Sequence, residues 1–189
     1  MSGADSKPRI ERAAAELLSR DGYNGMGLKA LSEATELPYG SIYHHFPGGK
    51  EEIATVAIVG TAVAIGELLT ATLADGVTDE AVRALFGFMA DRLEASDWVA
   101  GCVVGTPAVD DPSPTPAVRE ACATGFAVLI DPIVEALRRD GMPADVAEGL
   151  ATTLIAAYEG ATALARVQQS RVSLDAAADA MIRLVAASR

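Results

Sequence analysis

The sequence predicts an all-α protein of about nine helices, and three observations support that prediction. Half of the 189 residues are hydrophobic while only 5% are aromatic, a composition typical of a folded chain and too hydrophobic for a disordered one. Apolar residues recur at spacings of three and four, the period of a helix. Long runs of alternating apolar and polar residues, which would predict strands, do not occur in the sequence. Length alone predicts one domain, or one domain with a small appendage.

The first helix is predicted between Pro8 and Gly22. Proline is well accepted in the first turn of a helix, and glycine is common just past its end. Between them, the apolar residues that share one helical face are Ile10, Ala13, Ala14, Leu17 and Leu18. Such a stripe is typical of a surface helix that packs one side against a core.

Two shorter helices are predicted at 28–35 and 38–46. Pro38 separates them because proline cannot continue a helix but fits its first turn. The sequence Pro-Gly-Gly at 47–49 ends the second of the two. Three helices within about 45 residues, the last two joined by a tight turn, indicate a helix-turn-helix unit.

Longer helices are predicted after Lys50. Their approximate limits are 50–73, 78–95, 116–139, 143–169 and 174–187. The second and third of these are separated by an irregular stretch that contains Pro107, Pro112 and Pro114. The apolar stretch 53–66 spans 14 residues. Because a membrane span needs about 18, we expect a buried helix there.

Charge is distributed unevenly along the chain. Residues 1–50 contain six basic and six acidic side chains, so the whole net charge of -11 lies on residues 51–189. Within the first segment, residues 37–50 contain no acid. Since salt screens charges beyond about 8 Å, such a local surface can approach a polyanion although the protein is acidic.

The predicted helix 38–46 carries polar groups suited to nucleic acid. Tyr39, Ser41, Tyr43 and His44 donate hydrogen bonds without adding negative charge, as recognition helices do toward phosphates and base edges. Lys50 begins the next helix, where the helix dipole also favours an anion. A solvated helix surface with ordinary polar residues is the alternative. Adjacent helical residues such as His44 and His45 point in different directions, so we expect no metal site there.

Four segments resemble the TetR family of transcriptional regulators: Gly22-Tyr23, Leu31–Ala34, Tyr39–Phe46 and Lys50–Ile53. The stretch Gly101–Gly105 is similar to the LmrA/YxaF-like branch of that family. The resemblance implies a homodimer with an N-terminal DNA-binding domain and a C-terminal ligand-binding and dimerisation domain. We place these domains at 1–50 and 51–189.

The resemblance also implies roles for individual residues. Residues at the family's DNA-contacting positions are Gly27, Lys29, Pro38, Tyr39, Ser41, Tyr43, His44 and Lys50; Tyr43 and Lys50 match its phosphate contacts. Two positions depart from the family pattern. Met26-Gly27 replaces the usual Thr or Ser cap of the second helix, and Glu36 replaces the usual glycine of the turn. A lost hydroxyl cap costs about 1 kcal/mol, less where glycine takes its place.

Large side chains of the C-terminal helices are candidates for a ligand site, although core packing explains most of them. The candidates are Phe86, Met89, Trp98, Cys102, Phe126, Tyr158 and Glu159. Small residues of the helix 143–169, together with the stripe of 174–187, predict close packing of two helices from each subunit in a two-fold dimer.

These observations predict a ligand-responsive, sequence-specific DNA-binding regulator. We expect a repressor that binds a pseudo-palindromic operator and is released by a small, mostly apolar effector. The alternative is a helical ligand-binding protein with an impaired DNA-reading head. We expect no enzyme, cofactor, metal or membrane association, since no catalytic or ligating motif occurs.

Three further expectations concern redox state, localisation and a pair of acids. Cys102 and Cys122 have no zinc or redox spacing, so we expect buried thiols. The N-terminus lacks a signal-peptide pattern, which favours the cytoplasm. Asp110-Asp111, in the proline-rich stretch, is interpreted as a solvated turn.

Overall fold

The computed structural model describes residues 6–110 and 115–189, and nine α-helices lie within these ranges. In chain order they are α1 (Ser6–Gly25), α2 (Leu28–Thr35), α3 (Tyr39–His45), α4 (Gly49–Thr72), α5 (Asp79–Ala95), α6 (Gly105–Ala108), α7 (Pro116–Arg139), α8 (Ala144–Gln168) and α9 (Val172–Ala187). The described ranges contain no strand. The prediction of an all-α protein with about nine helices is therefore confirmed.

Predicted and observed helix limits agree within two residues for α2–α5 and α7–α9. Thr78 caps α5 as its side-chain oxygen accepts from the Ala81 amide at 3.1 Å. In α1 the helical geometry is interrupted at Gly22, with φ 70° and ψ -174°, and the helix then continues to Gly25. A glycine can adopt this positive φ at little cost.

The short helix α6 was not predicted. It contains only four residues, one of them Pro107, so it is too short to show an apolar period. The Thr106 amide donates to the Cys102 carbonyl at 2.9 Å and closes its first turn. Asp111, Pro112 and Pro114 lie outside the described residues.

Two compact units divide the chain. The first contains the described residues of Met1–Ala62 and Cys102–Phe126. Within it, α1 packs against α2 and α6, and α2 packs against α3. Fully buried side chains form its core: Ile10, Leu18, Met26, Leu31, Ile42 and Phe46. Val104 and Val118 of the same unit are also fully buried, so this unit has core residues from a distant part of the chain.

The second unit contains Val63–Gly101 and Ala127–Arg189. Helices α5, α8 and α9 pack against each other in it. Phe86, Leu93, Ile133 and Leu137 are among its fully buried side chains. The two units therefore do not follow the chain order of the expected domains 1–50 and 51–189, and that functional division remains a prediction.

Within the described ranges, one helix, α4, is long and apolar enough to cross a membrane by length and composition. Ile53, Ala54 and Ile58 of its first half are fully buried in the first unit. Burial in a protein core is the usual reason for such a composition in a helix at the centre of a fold. The expected burial of 53–66 is therefore observed along one face only, since Val56 and Val63 expose 37% and 43% of their surface.

Candidate nucleic-acid interface

The turn between α2 and α3 is fixed by its own hydrogen bonds. Ser32 Oγ donates to the Leu37 carbonyl at 2.6 Å. The Ser41 and Ile42 amides donate to the Pro38 carbonyl at 2.9 and 3.3 Å. Pro38 is the N-cap of α3 and has extended backbone, with φ -67° and ψ 152°; the φ is the value that the proline ring fixes. These contacts hold α3 in one orientation relative to α2.

Glu36 lies in the left-handed region, with φ 53° and ψ 28°. This is the backbone conformation of the turn position where the family pattern has glycine. In this chain Glu36, which has a Cβ, adopts it. Such a conformation costs about 1 kcal/mol for a residue other than glycine. The Glu36 side chain is exposed.

Helix α3 has a buried face and an exposed face. Ile42 and Phe46 are buried, while Tyr39 and Tyr43 expose 48% and 46% of their surface. His44 is also exposed. Of the other predicted contact residues, Pro38 is exposed and Ser41 is half-buried. The structure thus leaves the predicted polar face of α3 open, and it brings aromatic and imidazole donors together on one helix.

The start of α2 differs from what the family pattern suggested. Gly27 is the N-cap, with φ -102° and ψ 159°, and no side chain caps the helix. Met26 is fully buried, so it belongs to the core and is not the capping position. Lys29 is exposed and pairs with Glu33 at 3.8 Å. A pair so exposed contributes little and leaves the ammonium available.

Lys50 is held close to the end of α1. Its Nζ lies 4.4 Å from the centre of the Tyr23 ring and 3.5 Å from the Asn24 carbonyl oxygen. Burial lowers the pKa of Lys50, and the Asp110 carboxylate opposes that change. The ammonium therefore has an aromatic face, a carbonyl and a nearby carboxylate as its surroundings.

Asp110 is a residue that sequence analysis missed. Its Oδ2 accepts from the Asn24 amide at 2.8 Å. The interpretation of Asp110 as part of a solvated turn was therefore wrong, because its carboxylate satisfies a backbone donor at the end of α1. No local pattern could have indicated this contact, since 86 positions separate the two residues.

Most predicted ligand-site residues lie in one unit, and several of them form its core. Phe86, Met89 and Tyr158 are buried in the second unit. The rings of Phe86 and Tyr158 meet edge to face with centroids 5.6 Å apart. Trp98 and Glu159 of the same unit are half-buried.

The remaining two candidates, Cys102 and Phe126, belong to the first unit. Cys102 is buried and Phe126 is half-buried. Among described residues, no group of three His, Cys, Asp or Glu side chains is placed to hold a metal.

A cavity of about 600 Å³ lies in the second unit between α4 and α7. Its lining residues are Val63, Gly66, Glu67, Thr70, Val128, Asp131, Pro132, Glu135 and Arg139. None of these was a predicted ligand contact. Arg139 Nη2 donates to the Leu73 carbonyl at 2.8 Å, so its guanidinium also caps the end of α4. Apolar side chains such as Val63, Val128 and Pro132 line the cavity together with the carboxylates of Glu67, Asp131 and Glu135.

Comparison with known proteins agrees with this geometry. Residues 10–56 match the profile described as bacterial regulatory proteins of the tetR family. Residues 79–180 match that of the transcriptional regulator LmrA/YxaF-like C-terminal domain. The HTH-type transcriptional regulator LmrA of Bacillus subtilis (strain 168) is 29% identical over 176 residues, which cover 92% of this chain and 93% of that protein.

Two further similarities extend along most of the chain. The HTH-type transcriptional repressor DhaR of Mycobacterium sp. (strain GP1) is 28% identical over 88% of this chain and 84% of its own length. A cysteine mutant of the TetR family regulator CifR, in complex with 26-bp operator DNA, has a TM-score of 0.76 and 25% identity; the match covers 93% of this chain and 94% of CifR. The chain belongs to the TetR family of transcriptional regulators, with an LmrA/YxaF-like C-terminal domain.

Proposed function

We propose that this protein is a homodimeric repressor that binds a pseudo-palindromic operator in the cytoplasm and leaves it when a small effector binds. The observation that carries the proposal is the exposed face of α3. Tyr39, Tyr43 and His44 are exposed within a stretch, 37–50, that contains no acid. A helix of this kind fits the major groove, where polar side chains read base edges and phosphates.

The repressor role rests on occlusion. A dimer that occupies two successive major grooves covers a promoter without any further partner. The relative DhaR carries the name of a repressor, which supports the same role here. On these two grounds we propose repression.

Dimer formation is supported by the surfaces of α8 and α9. Five large apolar residues remain exposed there: Val146, Leu164, Val167, Val172 and Leu184. Small residues such as Gly160 and Ala163 are exposed beside them on α8. Helices with small residues approach each other closely, and a two-fold axis would pair these surfaces with themselves.

For the effector we propose the cavity between α4 and α7. Its volume of about 600 Å³ falls within the usual range for a site that binds a small molecule. Val63, Val128 and Pro132 supply apolar contacts. The three carboxylates of Glu67, Asp131 and Glu135 outnumber the one guanidinium in the lining, Arg139, so they disfavour an anionic effector. The proposed effector is therefore small, mostly apolar and without negative charge.

A ligand in this cavity acts only if it binds one state better than the other. The free energy by which the effector shifts operator binding cannot exceed the difference between its binding free energies for the two states. Since α4 begins at Gly49, directly after the turn that follows α3, a change in α4 has a short covalent path to the reading helix.

The test is a gel shift of the purified protein on its own upstream DNA, with random DNA as competitor and salt varied from low to about 150 mM. A band that survives competition at the higher salt supports a sequence-specific regulator. Gel filtration at micromolar concentration supplies the oligomeric state, and a monomer there contradicts the proposal.

A second candidate function is a ligand-binding protein with an impaired reading head. The uncapped Gly27 and the strained Glu36 favour it. Such a protein would bind DNA only weakly, with strong salt dependence and no preference between operator and random sequence. Loss of the band on addition of competitor, at every salt concentration, is the result that selects this alternative.

A further inference from the structure

The end of α1 is built around a carboxylate from a distant part of the chain. At Gly22 the backbone takes a φ of 70°, and two residues later the Asn24 amide donates to Asp110 Oδ2 at 2.8 Å. A Cβ at Gly22 would lie 2.7 Å from Oδ2 and closer still to Oδ1. Only glycine allows the carboxylate to approach the backbone so closely at this φ.

Lys50 contacts Tyr23 and Asn24 at this same end of α1. Its ammonium lies over the Tyr23 ring at 4.4 Å and within 3.5 Å of the Asn24 carbonyl oxygen. The backbone of Asn24 therefore donates to Asp110 through its amide and accepts from Lys50 through its carbonyl. The Asp110 carboxylate also favours the charged form of Lys50, since it raises the pKa that burial lowers.

The segment that carries Asp110 is attached to α1 at a second point. Thr106 Oγ1 donates to the Ser19 carbonyl at 3.2 Å, and α1 and α6 pack against each other. This segment lies in the range that matches the C-terminal domain profile, 79–180, whereas α1 lies mostly in the range of the DNA-binding profile, 10–56. Residues assigned to the effector domain by sequence thus form part of the unit that contains the reading helix.

We propose that Asp110 is a positioning residue for DNA binding, whose carboxylate fixes the Gly22–Asn24 end of α1 and so holds Lys50 where its ammonium reaches a DNA phosphate. The inference rests on the proposed DNA-binding function and adds to it a residue outside the helix-turn-helix. Without the carboxylate, the Asn24 amide loses this 2.8 Å hydrogen bond, and the end of α1 is held less firmly. Lys50 then loses the surface of Tyr23 and Asn24 that orients its long side chain.

The test uses the full chain with Asp110→Ala and Asp110→Asn. The asparagine variant keeps an oxygen that accepts from the Asn24 amide, while alanine does not. Glu120→Gln is the matched control, because it removes one negative charge from an exposed residue of the same unit. Fluorescence anisotropy on labelled upstream DNA measures Kd at several salt concentrations, and thermal melting checks folding.

We expect Asp110→Ala to weaken DNA binding about tenfold, the value of one charged hydrogen bond, and to lower the salt slope by about 1, as the loss of one phosphate contact does. Asp110→Asn and Glu120→Gln should remain within about threefold of the original Kd. In a Lys50→Ala background, Asp110→Ala should change Kd less than twofold, because both changes remove the same contact.

An unchanged Kd and salt slope for Asp110→Ala overturn the inference. The inference is also overturned if the fold-change in Kd of the double variant Asp110→Ala/Lys50→Ala equals the product of the two single fold-changes. Asp110 would then act independently of Lys50. If Asp110→Ala melts below the assay temperature, the anisotropy of every variant is measured at a lower temperature at which Asp110→Ala is folded.

Failure of the proposed function is visible separately, as equal affinity of the unchanged protein for upstream and random DNA. The salt slope on random DNA still reports the Lys50 contact in that case. If Asp110→Ala lowers the salt slope on random DNA, the inference is supported; if the slope is unchanged, the inference is overturned.

Discussion

The rings of Phe86 and Tyr158 meet edge to face, with centroids 5.6 Å apart and planes inclined by 66°. Both residues are buried in the second unit, where α5 packs against α8. Such pairs contribute about 0.5–1.5 kcal/mol beyond the area they bury. Both residues were ligand-site candidates for which core packing was the alternative explanation. Their burial and ring contact fit core packing, and the ligand-site interpretation stays a prediction.

Phe86→Ala should therefore lower the free energy of unfolding by about 3–5 kcal/mol, since it removes a fully buried ring and leaves a cavity. Urea denaturation measures this change. Phe88→Ala on the same helix is the control, because Phe88 is exposed, and it should cost less than about 1 kcal/mol. A small loss for Phe86→Ala together with a large loss of effector binding would restore the ligand-site interpretation.

A second prediction concerns the start of α2. The extended Gly27 has no atom within 4 Å of a Cβ built on it, so a serine fits there and can cap the helix. Gly27→Ser should raise the free energy of unfolding by a few tenths of a kcal/mol and add a hydroxyl donor for phosphate. We expect a slightly higher Tm and tighter DNA binding in anisotropy.

Met26→Thr is the matched comparison for this position. It places a hydroxyl in the core and removes buried volume, so it should destabilise the protein by about 2–5 kcal/mol. A more stable Met26→Thr variant would show that Met26, and not Gly27, occupies the capping position.

Local chemistry explains which features could be predicted from the sequence. The limits of α2 and α3 depend on Pro38 and the Pro-Gly-Gly at 47–49, which act on adjacent residues. The left-handed turn at Glu36 was indicated by the family pattern and is observed. The burial of Met26 and the contact of Asp110 with Asn24 depend on packing between distant segments. Such packing cannot be predicted from the local spacing of apolar residues.

Glu36 gives a third prediction. Glu36→Gly relieves the positive φ of 53° and should raise the free energy of unfolding by up to about 1 kcal/mol. It also removes a carboxylate beside the reading helix, so DNA binding should tighten by about two- to threefold at low salt. Thermal melting and anisotropy measure the two effects.

Two controls separate the causes. Glu36→Gln removes the charge and keeps the strain, so it should tighten DNA binding without raising Tm. Gln169 is another left-handed residue, at the end of α8 with φ 48°, and Gln169→Gly should raise Tm without changing DNA affinity. A Glu36→Gly variant that is less stable than the original would contradict the assignment of backbone strain.

The fourth prediction concerns Cys122. Burial raises the pKa of its thiol to about 11, and Asp110 adds to the effect. The thiol is therefore protonated near neutral pH and should react slowly with iodoacetamide in the folded protein. Mass spectrometry of the Cys122 peptide should show little modification at pH 8 and rapid modification in urea.

The same shift makes stability depend on pH. Because the folded pKa lies above the ordinary value of 9.0, the folded state binds the proton more tightly than the unfolded state. The free energy of unfolding should fall as pH rises from 9 to about 11, and Cys122→Ala should reduce that fall. Equal alkylation of native and unfolded protein at pH 8 would rule out the shift.

The last prediction separates phosphate contacts from base contacts on α3. Tyr43→Phe removes one exposed hydroxyl and should weaken binding to operator and random DNA by the same factor, about tenfold, because phosphates carry no sequence information. Lys50→Ala should weaken both as well and should also lower the salt slope by about 1. Anisotropy on the two DNAs at several salt concentrations measures all of these effects.

His44→Ala should behave differently, because an exposed side chain on the groove-facing side of α3 reads base edges. We expect it to lose operator affinity and to leave random-sequence affinity within about twofold. Tyr158→Phe is the control for the loss of a tyrosine hydroxyl outside the reading head, and it should leave both affinities unchanged. If Tyr43→Phe altered only the ratio of operator to random affinity, Tyr43 would contact a base, and α3 would enter the groove rotated from the orientation proposed here.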